Sequence, residues 1–171
     1  MSNDIATLRS ELPGDAAAIH HLTEQAFAAV AHSDHNEHHI VAALRTAQVL
    51  TLSMVAVDQG QLLGHVAISP VTLSSGDAGW YGLGPVSVHP DVQRRGIGSA
   101  LISCVLSKLQ GKGAKGCVVL GDPAYYRRFG FAQSTQLRLP GVPAEYFLVR
   151  AFGGEMPVAE VQYHPAFSAT A

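Results

Sequence analysis

The run Val86-Ser87-Val88-His89-Pro90-Asp91-Val92-Gln93-Arg94-Arg95-Gly96-Ile97-Gly98-Ser99 constrains this chain most. An apolar stretch ends at a proline, a short polar turn follows, and two glycines open a segment with apolar residues at Leu101, Ile102, Val105 and Leu109. That order predicts a strand, closed by Pro90, feeding an amphipathic helix from Gly98 to Leu109. The first amides of a helix have no internal partner, and the helix dipole puts partial positive charge there. Glycines let a ligand approach that backbone, and Arg94 and Arg95 add full charges. A phosphate or pyrophosphate suits such a turn. No Gly-Lys-Ser/Thr follows, which excludes a P-loop, and GxGxxG is missing, which excludes a dinucleotide-binding turn. A plain glycine-rich connection with two solvated arginines is the alternative.

Around this core the chain punctuates itself. Ile5 to Arg9 reads as a short strand, and Pro13-Gly14-Asp15 as a turn. Asp15 suits the cap of a helix carrying Ile19, Leu22, Ala26, Phe27 and Val30. After the polar stretch from His32 to Asn36, residues Ile40, Val41 and Leu44 suggest a second helix. Val49 to Val57 and Leu62 to Val71 read as strands joined at Asp58-Gln59-Gly60 in an antiparallel hairpin. Trp80 to Val88 is a third strand, interrupted at Gly82, Gly84 and Pro85.

Beyond the amphipathic helix, Gly111 and Gly113 act as stops and Cys117 to Leu120 is a buried strand. A short helix follows Pro123. Phe131 to Leu139 and Glu145 to Phe152 read as closing strands before an irregular tail of about residues 153–171. Helices, a meander and a strand-helix-strand unit predict one mixed α/β domain over residues 1–171.

Charge narrows the partners. Eleven Lys and Arg face thirteen Asp and Glu, so no basic excess holds a nucleic-acid backbone or an anionic membrane. Charged residues make up 14%, against about 25% in an ordinary soluble domain, and 47% are hydrophobic, which excludes a disordered chain. Asp4, Arg9, Glu11 and Asp15 break up any signal-peptide core, and Val49 to Val57 is about half a membrane span. Cytoplasmic residence is the expectation. Cys104 and Cys117 form neither a CxxC pair nor a disulfide framework.

The strand-turn-helix segment resembles the acetyl-CoA signature of the GNAT superfamily of N-acetyltransferases. Val119-Leu120-Gly121-Asp122-Pro123-Ala124-Tyr125-Tyr126-Arg127-Arg128-Phe129-Gly130-Phe131 resembles that superfamily's next motif. Gly64-His65 through Pro70-Val71, and Tyr163 to Phe167, are similar to one predicted-acetyltransferase subgroup. The resemblance implies a mostly antiparallel central sheet flanked by helices. It also implies splayed parallel strands, here those ending at Val88 and Gly121, with the cofactor entering between them.

It further implies that the backbone of Val86, Ser87 and Val88 bonds the pantetheine arm and thioester oxygen of acetyl-CoA. The amides of Gln93, Arg94, Arg95, Gly96, Ile97, Gly98 and Ser99 would hold the pyrophosphate. Tyr126 matches the residue that protonates the departing thiolate. A packing role for Tyr125, Tyr126, Phe129 and Phe131 is the alternative.

Two positions depart from the pattern. Val119 stands where many members carry an asparagine, and the strand from Trp80 to Val88 holds no carboxylate to serve as base. His89, His65 and Glu37 are the substitutes to examine. Six of nine histidines fall between His20 and His39. His35 and His39 have helical i, i+4 spacing, with His32, Asp34, Glu37 and His38 near. No HExxH occurs. A solvated connection is the first reading, a substrate-facing rim and a metal site are the others, and no metal is expected.

The function implied is direct transfer of an acetyl group from acetyl-CoA to a primary amine, on a small molecule or peptide, in a ternary complex. A CoA-binding sensor without transfer activity, and a metal-dependent enzyme at the histidines, are the alternatives. An edge strand near the C-terminus makes a second copy a candidate partner.

Overall fold

A computed structural model describes residues 6–171, so Ile5, the expected start of the first strand, lies outside the described residues. In chain order the strands are β1 (Thr7–Ser10), β2 (Leu52–Asp58), β3 (Gln61–Pro70), β4 (Thr72–Leu73), β5 (Trp80–Val88), β6 (Gly116–Leu120), β7 (Ala132–Gln133), β8 (Leu137–Arg138), β9 (Phe147–Ala151) and β10 (Ala159–Gln162). The α-helices are α1 (Ala16–Phe27), α2 (Glu37–Thr46), α3 (Ile97–Gly111) and α4 (Pro123–Tyr126). Two compact units result. The first holds the chain up to Ile68, Gly84–Val105 and Pro165–Ala171; the second holds Ser69–Leu83 and Leu106–His164. Among the described residues no helix is long and apolar enough to cross a membrane.

In the first unit β1, β2 and β3 lie side by side, antiparallel, with β5 next to β3. Asp58 pairs with Gln61, which leaves a two-residue loop of Gln59 (φ 48°) and Gly60 (φ 77°). Two successive positive φ values make the hairpin turn whose twist matches that of the strands. The apolar stripes of α1 and α2 meet the sheet through Ile19, Val41 and Val55. Ile40 and Leu44 pack instead with Ala166, in a 3₁₀ turn at Pro165–Ser168.

Two local expectations change here. Asp15 does not cap α1 with its side chain. Its carboxylate accepts the Leu12 N–H at 2.7 Å and the Arg9 guanidinium at 2.6 Å, so it closes the preceding turn. The helix stops at Phe27, leaving Val30 exposed beyond it.

In the second unit the order is β5, β6, β9, β7. The parallel pair β5–β6 has register only from Trp80↔Gly116 to Gly82↔Val118, whereas β6 and β9 run antiparallel over five residues. A smaller sheet, β4-β10-β8, shares a core of Leu73, Trp80, Val118, Leu137, Phe147 and Val161.

The expected strand from Phe131 to Leu139 is two strands in different sheets, β7 beside β9 and β8 beside β10. The Ser134 hydroxyl accepts the Gln136 N–H at 3.0 Å, a local turn that competes with the ladder between them. Nor is the tail irregular throughout: β10 alternates buried Ala159 and Val161 with exposed Glu160 and Gln162. Four residues of period two are too short to stand out beside their loop flanks.

Helix α3 lies on β3 at Gly64. An added Cβ there would come 2.8 Å from Ile97 Cγ2 and 2.9 Å from Leu101 Cδ1, closer than packed carbons tolerate. Leu101, Ile102 and Val105 are fully buried beneath it. Gly64→Ala should therefore cost about 1–3 kcal/mol through overpacking, read as a lower urea midpoint at unchanged slope.

Candidate functional site

Between the end of β5 and the start of α3 the backbone folds into a turn suited to anions. Pro90–Val92 forms a 3₁₀ turn, and Arg94 (φ 64°) and Gly96 (φ 86°) both take left-handed conformations. Gln93 between them and the 3₁₀ turn is extended, so the backbone reverses sharply just before the helix begins. The first bond of α3 runs from the Ala100 N–H to the Gly96 carbonyl at 3.0 Å. The amides of Ile97 and Gly98 therefore have no acceptor one turn back, at the positive end of the helix dipole. Gln93, Arg94, Arg95 and Gly96 are exposed, and Ile97, Gly98 and Ser99 half-buried.

The strand feeding this turn presents its backbone in two directions. The His89 N–H bonds the Leu63 carbonyl of β3 at 2.8 Å, while Val71 N–H bonds the Trp80 carbonyl at 3.1 Å. These bonds set β3 and β5 antiparallel with one extra β5 residue between them, in the stretch that holds Gly84 (φ 128°). Successive residues of a strand point their polar groups to opposite edges. Ser87, two residues before His89, then faces β3, and the N–H and C=O of Val86 and Val88 face away. The Val88 carbonyl accepts Gln93 Nε2 at 3.2 Å, as that orientation requires.

Tyr126 closes α4 in the second unit. Asp122 caps this helix, its carboxylate accepting the Ala124 N–H at 2.9 Å. The Tyr126 ring covers Gly121, where an added Cβ would strike the ring carbons, and it lies 5.0 Å from the Tyr125 ring and 5.9 Å from the Phe131 ring. Burial first, then the neighbouring Tyr125 and Cys117, pushes its hydroxyl up to about 12, so it is protonated at neutral pH. Tyr125 is held differently, with the Arg128 guanidinium 4.7 Å from its ring centre.

The three substitutes for a missing base sit in different surroundings. His89 Nδ1 accepts the Asp91 N–H at 3.2 Å, so in the neutral ring Nε2 carries the hydrogen. Glu37 accepts the Ser33 hydroxyl. His65 is fully buried in a polar chain that sequence reasoning did not anticipate: Arg45 pairs with Glu11, and the Ser53 hydroxyl donates to Glu11 at 3.2 Å. With that hydroxyl hydrogen used, Ser53 accepts from His65 Nε2 at 2.8 Å, which leaves His65 Nδ1 bare and without a partner. Burial pulls its pKa down to about 4. Cys117 is also fully buried, which pushes its thiol far above its usual range and removes it as a nucleophile.

The histidines regroup. His35 (φ 57°) precedes α2, so His35 and His39 do not share a helix face. The rings that meet are His20 of α1 with His38 and His39 of α2, at 4.0 to 5.6 Å between centroids. Burial, and then His39 and His20, lower the pKa of His38. The seventeen residues between His20 and His38 give no local signal of this meeting.

Residues 35–133 match the family model described as acetyltransferase (GNAT) domain. The chain is 34% identical over 170 residues to the uncharacterized N-acetyltransferase YhbS of Escherichia coli K12, covering 94% of this chain and 98% of that protein. A crystal structure of a GNAT family acetyltransferase from Brucella melitensis, in complex with acetyl-CoA, is 52% identical. It superposes with a TM-score of 0.85, covering 94% of this chain and 97% of that one. The crystal structure of Escherichia coli YhbS in complex with CoA is 32% identical with a TM-score of 0.87, covering 100% and 97%.

The neutral His65 sets a pH dependence. A histidine whose folded pKa lies below its unfolded value of about 6.5 contributes stability that is present above 6.5 and is lost as pH falls. The loss runs from about pH 6.5 to about 4, the depressed folded value, and approaches about 3 kcal/mol at its lower end. His38 adds to it with the same sign. Denaturant titrations across this window should show the fall in the parent and a visibly flatter profile in His65→Gln.

Proposed function

The chain belongs to the GNAT acetyltransferase family, and on that premise we propose that it is a cytoplasmic enzyme that moves the acetyl group of acetyl-CoA directly to a primary amine in a ternary complex. The observation that carries this reading is the turn before α3. Left-handed Arg94 and Gly96 lead into the start of a fifteen-residue helix, where the amides of Ile97 and Gly98 have no acceptor one turn back. A CoA pyrophosphate is the anion this turn would take, with Gln93 to Ser99 as its ligands and Arg94 and Arg95 adding charge. The outward polar groups of Val86 and Val88 suit the amide-bearing pantetheine arm. The inward-facing Ser87 supports their alternation.

The chemistry follows from those groups. The amine nitrogen attacks the thioester carbon, and the oxyanion that forms takes a hydrogen bond from the Val88 N–H. Collapse breaks the C–S bond, Tyr126 gives its proton to the thiolate and regains one from water, and the nitrogen loses its extra proton to water. A thiol of pKa about 8.5 leaves far more readily with a donor in reach. The elevated pKa of Tyr126, about 12, keeps the donor protonated at working pH. Since β5 carries no carboxylate, His65 is fully buried and His89 Nδ1 already accepts the Asp91 N–H, the amine binds as its free base. Two cysteines outside this chemistry, one of them deeply buried, favour direct transfer over an acyl-cysteine.

The same missing carboxylate favours a second reading, a CoA sensor without turnover. An amine panel with acetyl-CoA separates the two: released CoA thiol supports the enzyme, and CoA binding without release from any amine supports the sensor.

Two variants test the residues. Gly96→Val puts a branched side chain at a left-handed position. It should weaken CoA binding tenfold or more, about 1.4 kcal/mol, in a chain that stays folded. By steady-state kinetics, Tyr126→Phe should lower kcat about a hundredfold with little change in KM for acetyl-CoA. Tyr125→Phe should keep most activity. Equal rates for Tyr126→Phe and the parent would remove the acid role.

A further inference from the structure

We propose that His20, His38 and His39 form a binding site for a divalent transition-metal ion that ties α1 to α2. Their ligating nitrogens all lie within 4.8 Å of one another. Three nitrogens at the corners of a zinc tetrahedron stand about 3.3 Å apart, given bonds of about 2.0–2.1 Å. Small rotations of the rings about their side-chain bonds close that gap. His38 is buried, and His20 and His39 half-buried, so the ion would sit at the edge of the core with one coordination position left to water. Among the described residues no hydrogen bond engages a ring nitrogen of the three, so no existing partner has to be displaced.

The donor set selects the ion. Neutral imidazoles suit zinc, nickel and copper and serve magnesium or calcium poorly. An imidazole ligates when unprotonated, and the burial of His38 between two further rings favours that form. The charges of Glu24 on α1 and Glu37 on α2 act on His38 in the opposite sense, and the same negative potential favours a dication. One oxygen of Glu37 is buried without a partner. The inference stands on the geometry of α1 and α2 alone and is independent of the acetyl-transfer chemistry.

The test uses the untagged full chain, stripped with a chelator and dialysed. Titration with zinc chloride at pH 7.5, followed by calorimetry, should give one saturable equivalent with a dissociation constant at or below the micromolar range. Cobalt(II) at the same site should give the intense visible bands of tetrahedral coordination. His20→Gln and His39→Gln, each checked for fold by circular dichroism, should weaken zinc at least tenfold and abolish the cobalt bands. His21→Gln and His35→Gln should leave both signals as in the parent. The proposal is overturned if the parent shows no saturable equivalent, if affinity is unchanged in His20→Gln and His39→Gln, or if it is lost in His35→Gln.

Discussion

The close approach of α3 to β3 governs the rest of the candidate site. At Gly64 the strand has no side chain, and the ends of Ile97 and Leu101 occupy the space one would fill. One residue earlier, the Leu63 carbonyl holds the His89 N–H. Adjacent residues of one strand therefore anchor both ends of the turn from His89 to Ile97. A loop held at two such points loses less entropy when it receives a ligand, because its amides are already aimed. The buried stripe of Leu101, Ile102 and Val105 keeps the helix in that position.

This arrangement explains how a chain with net charge −2 can present an anion site. The attraction is local, from the helix start, the two left-handed residues and two exposed arginines, and needs no basic surface. Deeper in the same unit the logic reverses. The Arg45–Glu11–Ser53–His65 chain satisfies its charges pairwise and leaves His65 neutral, where burial penalises any proton it gains. Two polar systems thus coexist, one open to a ligand and one closed.

What was legible in the sequence follows how far apart the causes lie. The β2–β3 hairpin, the extent of β5 and the stripe of α3 were readable because each is encoded within about fifteen residues by period and by glycine or proline. The turn before α3 and the short helix after Pro123 were legible because local order carries them. Asp15 was misassigned because its acceptor groups serve Arg9 and the Leu12 amide, a choice the spacing does not reveal. The strand β10 depends on partners far along the chain, and the break at Ser134 on a side-chain turn that hydrophobic period does not register. The histidine trio unites two helices, so the i, i+4 spacing of His35 and His39 does not mark the set of rings that meet.

Hydrogen–deuterium exchange on the full chain, with and without saturating CoA, tests the central claim most directly. Amides that ligate a pyrophosphate exchange more slowly when it is bound, and every peptide reports on its own segment. Binding through the turn predicts the largest protection in peptides covering Val88 to Ser99, where the left-handed Arg94 and Gly96 aim the backbone. Unchanged exchange in those peptides at saturating CoA would contradict it.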